Sequence, residues 1–165
     1  MVISGEDLHR LVDKIFPKQK PAKIGPASYD LTIADDVVVY DGDLVAEGAG
    51  DEISIKEETT FYKGEFVIAH TREYIALPPD IAGLMLLRSS MGRRGWLHAF
   101  AGFVDPGFHG ELVFELSAAT ETTLKGGTRI AQLILFSASG SAVYDGGYNG
   151  QTGNTLAYEG WDMVP

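Results

Sequence analysis

The sequence predicts an all-β domain, an antiparallel barrel or jelly roll behind one short helix. Three observations carry that expectation. Short β-rich runs recur from Asp36 to Tyr144, turn residues rich in Gly and Pro separate them, and helical spacing of apolar residues is confined to the N-terminus. At that end, Ser4 is placed to cap a helix whose Leu8, Leu11, Val12 and Ile15 share a face, and Pro17 with Pro21 ends it. Residues 1–25 therefore read as helix and connector. Strands are expected over 37–40, 53–55, 59–62, 66–70, 73–77, 83–87, 99–104, 111–116, 122–124, 129–136 and 142–144. Residues 140–165, glycine-rich near their start, read as a flexible lid or tail within a single domain spanning 1–165.

Composition removes several functional classes. A chain of 165 residues with 45% hydrophobic content suits one domain with its own core. Cysteine is absent, which excludes disulfides, a thiolate nucleophile and the Pro-Cys-x-x-Cys element of zinc-dependent nucleobase deaminases. His9, His70, His98 and His109 show no metal-ligand spacing, and the His-x-His pair of a metal-binding cupin is missing, so no protein-held metal is expected. A formal charge of −10 argues against binding a nucleic acid polymer, where lysine and arginine neutralise phosphates. No apolar run approaches the roughly 18 residues of a membrane span, and the N-terminus lacks a signal peptide's layout, so the expected address is cytoplasmic with no membrane partner.

The chemistry is concentrated in residues 88–115. Arg88-Ser-Ser-Met-Gly-Arg93 places two hydroxyls between guanidiniums, with Arg94 adjacent, a grip suited to a small phosphorylated metabolite. Isolated arginines more often pair with surface carboxylates. Asp105 follows Phe103-Val104 and precedes Pro106-Gly107, also an ordinary place for a turn-stabilising aspartate. Glu115 has apolar neighbours in Leu112-Val-Phe-Glu-Leu116 and reads either as a desolvated proton shuttle or as the solvent face of an amphipathic strand. Gln132 can donate and accept to a base edge or satisfy a buried backbone group. His98 reads as a structural hydrogen-bonding residue or a water-orienting one.

These segments, with Pro26-Ala-Ser-Tyr-Asp-Leu31, Ala101-Gly-Phe-Val-Asp-Pro-Gly-Phe-His-Gly110 and Gly127-Thr-Arg-Ile-Ala-Gln-Leu-Ile134, resemble the successive motifs of dCTP deaminases and their relatives, the trimeric dUTPases. The resemblance runs from the first helix to about Gln151. It implies a distorted jelly roll, or β-clip barrel, assembled as a homotrimer with sites between subunits. It implies substrate contacts at Arg88, Ser89, Ser90, Met91, Gly92, Arg93, Ala101, Gly102, Asp105, Phe108, Val113, Phe114, Glu115, Gln132, Tyr144 and Gln151. Glu115, Ser89, Arg93 and Asp105 would act in catalysis. Glu115 would activate water for attack on C4 of cytosine without a metal, and Asp105 would hold the deoxyribose 3′-hydroxyl or, as in dUTPases, the attacking water. Phe108 would pack on the sugar and leave no room for a 2′-hydroxyl, or else fill the core.

The reaction implied is deamination of dCTP to dUTP and ammonia, with Mg²⁺ carried by the triphosphate. The alternatives are hydrolysis of dUTP to dUMP and diphosphate, alone or after deamination, and a non-catalytic nucleotide-binding module. Three positions depart from the deaminase pattern. Gly147 stands where a lysine is common, Phe100 where many deaminases have threonine, and Gly102 where some have histidine and where glycine occurs in bifunctional and dUTPase-like members.

Overall fold

Leu8, Val12 and Ile15 are buried along one side of α1 (Glu6–Ile15), as the spacing predicts. The computed structural model describes residues 1–40, 50–99, 101–140 and 142–154. Phe100 and the end of the expected tail, residues 155–165, lie outside them. The helix begins differently from the sequence expectation. Gly5, not Ser4, is the N-cap, at φ 61°, with no side-chain cap bond. Glycine enters that left-handed region without steric cost, and Glu6 and Asp7 complement the positive end of the helix. The Tyr29 hydroxyl donates to the Leu8 carbonyl and Phe16 meets the Tyr29 ring edge-on at 4.9 Å, so the helix is stapled to the sheet.

Eleven strands are described: β1 (Lys23–Ile24), β2 (Tyr29–Tyr40), β3 (Asp51–Ser54), β4 (Thr59–Phe61), β5 (Phe66–Ala76), β6 (Ile81–Leu87), β7 (Trp96–His98), β8 (Phe103–Val104), β9 (His109–Ala118), β10 (Thr122–Leu124) and β11 (Arg129–Ser137). Between β6 and β7 lies one helical turn, α2 (Ser89–Gly92). Nine strands form a curled antiparallel sheet in the order β7-β9-β5-β2-β11-β6-β8, with β1 and β3 added to β2, while β4 and β10 form a separate ribbon. The all-β architecture stands. A continuous apolar core runs from Leu8 on α1 through Tyr29, Ile33, Trp96 and Phe114 to Leu135.

Four elements differ from the sequence expectation. β2 starts at Tyr29, earlier than the expected residue 37, because its polar residues are satisfied internally: Asp30 by Arg129, and Thr32 by Glu73. The runs 66–70 and 73–77 are one strand, β5, whose register against β9 shifts between His70 and Tyr74. There the Thr71 hydroxyl donates to the Glu73 carbonyl and accepts from Leu112 N–H, taking over ladder bonds that the irregularity would leave unmade. Among the described residues of the run 99–104, only Phe103–Val104 form a strand; pairing with β9 is made instead by Trp96–His98, anchored by the fully buried Trp96. The expected strand at 142–144 is not formed: its described residues are irregular, and Tyr144 N–H donates to Pro106 O.

Candidate active site

β9 alternates as a half-buried strand should. Leu112, Phe114 and Leu116 enter the core, while Glu111, Val113, Glu115 and Ser117 take the opposite, partly exposed face. That face is not open solvent. It forms one wall of a cleft of about 370 Å³, lined also by Ile68 of β5, Met85 of β6, the run from Ala101 to Asp105, and Phe108, Tyr144, Tyr148 and Gln151. Glu115 combines features of both environments. It lies away from the core as alternation dictates, yet its Oε2 is buried and has no hydrogen-bond partner among the described residues. Its neighbour is His98 Nε2, 3.5 Å away and equally unpaired. The His98 ring is held edge-on to Phe114 at 6.0 Å.

The opposite wall depends on close backbone approach. A Cβ on Gly102 would lie 2.1 Å from the Met85 carbonyl oxygen, and Met85 N–H donates to Gly102 O at 2.7 Å. Asp105 opens a turn through Pro106 and Gly107, and Phe108 N–H closes it on Asp105 O. Gly107 sits at φ 83° with Val143 packed against it. Phe108 is 6% exposed and its ring lies 6.0 Å from Tyr144, so it serves both the core and the cleft.

The tail is tied to the start of β9. Gly150 N–H donates to His109 O, Glu111 N–H to Gln151 O, and Gln151 Nε2 to Glu111 O at 2.8 Å, which holds Gln151 where it lines the cleft.

Of the expected site residues, Ala101, Gly102, Asp105, Phe108, Val113, Glu115, Tyr144 and Gln151 converge on this cleft. Phe114 and Met91 are core side chains, 1% and 3% exposed, so only their backbones are available to a ligand. Ser89, Ser90, Gly92 and Arg93 are exposed on and beside α2 and do not line the cleft of their own chain. Arg93 makes no ion pair among the described residues, unlike Arg88, whose Nε lies 3.7 Å from Asp30 Oδ2. Gln132 is likewise outside the cleft: its Nε2 donates to Ser28 Oγ at 3.1 Å and lies 3.4 Å from Asp30 Oδ1.

Sequence reading missed the centre of that second cluster. Asp30, nearly buried, also accepts from Arg129 Nη1 at 2.9 Å, while Arg88 Nη1 donates to Arg129 O. The signal was present in the Pro26–Leu31 motif, which carried the resemblance but no assigned role. Tyr148 in the tail, and Met85 and Ile68 on strands, were also missed as cleft residues; apolar residues on strands carry no local mark of which cavity they line. Among the described residues no group of three or more His, Asp or Glu could hold a metal ion, and no helix is long and apolar enough to cross a membrane.

The curled antiparallel sheet, with its cleft against β9, is a fold shared with solved structures. The crystal structure of 2′-deoxycytidine 5′-triphosphate deaminase from Agrobacterium tumefaciens superposes with TM-score 0.67 at 18% identity, covering 81% of this chain and 47% of that one. This chain thus spans about half the length of that structure. The Staphylococcus bacteriophage 80alpha dUTPase with dUPNHPP gives TM-score 0.53 at 16% identity, over 78% of this chain and 82% of that one. These two establish the shared fold. A dCTP deaminase-like family profile matches residues 2–138. The Acidothermus cellulolyticus protein named "dCTP deaminase, dUMP-forming" is 39% identical over 160 residues, 82% of this chain and 81% of its own. The Kocuria rhizophila protein of the same name is 34% identical over 181 residues, 95% of this chain and 94% of its own. The chain belongs to the dCTP deaminase-like family.

Proposed function

We propose that the cleft deaminates dCTP and that the product leaves as dUMP. The observation that carries the first step is the buried, unpaired Glu115 Oε2 facing His98 across the cleft wall. Glu115 takes a proton from water, and the hydroxide adds to C4 of cytosine. That proton passes to N3, the proton of the new C4 hydroxyl then moves by way of Glu115 to the exocyclic nitrogen, the C4–N bond breaks, and ammonia departs as the C4 carbonyl forms. Gln151 reads the substrate from the rim, Phe108 and Tyr144 cover the sugar, and Asp105 holds the 3′-hydroxyl.

The exposed α2 turn supports a site completed by a second copy. Ser89, Ser90 and Arg93 have the chemistry of a triphosphate grip but stand outside their own cleft, so a neighbouring subunit of a homotrimer would supply them. Mg²⁺ would enter with the triphosphate.

Two observations favour continuation to dUMP. Relatives spanning nearly the whole chain carry the name "dUMP-forming". Gly102, the residue type of bifunctional members, is also locked against the Met85 carbonyl, where no side chain fits. In that second step a water held by Asp105 attacks the α-phosphorus, the bond to the bridging oxygen breaks, and diphosphate leaves.

The test is incubation of the purified protein with dCTP, and separately dUTP, in Mg²⁺, resolving nucleotides by ion-exchange chromatography and assaying ammonia and diphosphate. Ammonia, diphosphate and dUMP in equal amounts from dCTP are expected. Accumulating dUTP would remove the second step, and no ammonia would overturn the proposal.

A further inference from the structure

The site chemistry described so far leaves His70 unused. Its ring is 9% exposed in the β5 irregularity and lies between two carboxylates from different strands. Nδ1 is 3.0 Å from Glu111 Oε2 on β9 and 3.1 Å from Thr71 O on β5 itself; both partners are acceptors, so Nδ1 carries a hydrogen. Nε2 is 3.5 Å from Asp36 Oδ2 on β2.

Each carboxylate oxygen that meets the imidazole also meets the tail. Glu111 Oε2 accepts Gly153 N–H at 2.7 Å, and Asp36 Oδ2 accepts Asn154 Nδ2 at 2.8 Å. One buried ring therefore sets two acceptors that capture consecutive residues. Two positions earlier, Gln151 is bonded to the Glu111 backbone in both directions and lines the cleft. Charge-assisted bonds of this kind are stronger than neutral ones, and their fixed directions hold a segment that has no strand ladder of its own.

We propose that His70 is a positioning residue: through Glu111 and Asp36 it clasps residues 153–154 and so fixes Gln151 at the rim of the cleft. The role in turnover rests on the reading that the cleft binds dCTP; the clasp itself does not.

Two readouts separate these. Hydrogen exchange at the Gly153 amide reports the clasp directly, and steady-state kinetics with Mg²⁺ and dCTP report its effect on the site. In His70→Leu, Gly153 protection should fall about tenfold and KM for dCTP rise about tenfold, with kcat changed less than about threefold. His70→Asn, whose amide can donate from near the Nδ1 position, should recover most of both. Glu111→Gln, which keeps the shape and loses the charge, should also weaken Gly153 protection and serves if the leucine variant does not fold. Wild-type protection of Gly153 in His70→Leu or Glu111→Gln would overturn the clasp. So would loss of protection with unchanged KM, since Gln151 would then not depend on it. Absence of dCTP turnover in the wild-type protein would instead sink the functional reading and leave the exchange result to decide the clasp alone.

Discussion

His98 Nε2 stands 3.5 Å from Glu115 Oε2, and each atom is buried with no hydrogen-bond partner among the described residues. Native structures leave few buried polar atoms unpaired, and two adjacent ones mark a place prepared for a third group. A water or substrate atom held by both would sit where, in the proposed reaction, Glu115 would remove a proton. His98→Gln, which retains an amide, should keep more deaminase activity than His98→Leu, with the leucine variant losing about a hundredfold in kcat by ammonia release. Equal activity in the two would make the ring a packing element only.

Arg93 is exposed and makes no ion pair among the described residues, so its removal should leave the fold alone. Arg93→Ala should raise KM for dCTP about tenfold or more, while the thermal midpoint stays within about 2 °C of wild type. Binding of dCMP, which lacks the outer phosphates, should change far less.

Phe108 is 6% exposed yet lines the cleft, so in the proposed reaction it would link sugar recognition to the core. Phe108→Leu should open space beside the sugar and narrow the preference for dCTP over CTP about tenfold in kcat/KM, since steric rejection by an apolar surface is modest to begin with. It should also lower the thermal midpoint by a few degrees through the packing lost.

Glu73 is 1% exposed on β5, and Thr32 donates to it from both backbone and hydroxyl. Burial lifts its carboxyl above the usual value of 4.5, and the Thr32 hydrogen bonds offset this only in part. With the folded value above the unfolded one, the stability it contributes is fully present below the unfolded range and is lost as pH rises through the raised value. Glu73→Gln keeps partners for Thr32 without ionising, so denaturant unfolding should show the variant gaining on wild type as pH rises from about 4.5. Glu73→Leu strands the Thr32 N–H and should cost about 1–3 kcal/mol.

The strand-rich fold was legible because the core-facing Leu112, Phe114 and Leu116 alternate with Glu111, Val113, Glu115 and Ser117, mostly polar, and because Gly and Pro mark the turns. β2 was misread at its start because Asp30 and Thr32 look like loop residues until their long-range partners Arg129 and Glu73 are known. The α2 turn was missed because four residues are too few to show helical periodicity. For the site, Ala101, Gly102, Asp105, Phe108, Val113 and Glu115 were singled out in the sequence and meet at the cleft, whereas the His70, Asp36 and Glu111 cluster was not singled out. Its members lie on three strands, and only the β5 irregularity and the tail bring them together.

The most direct test of the account is ammonia release from saturating dCTP by Glu115→Gln beside the wild type, with nucleotide binding measured on both. A fall in kcat of about a thousandfold or more with dCTP still bound is expected of a carboxylate that carries the proton in the reaction. Full ammonia release by the variant would contradict the proton-shuttle role on which the proposed reaction depends.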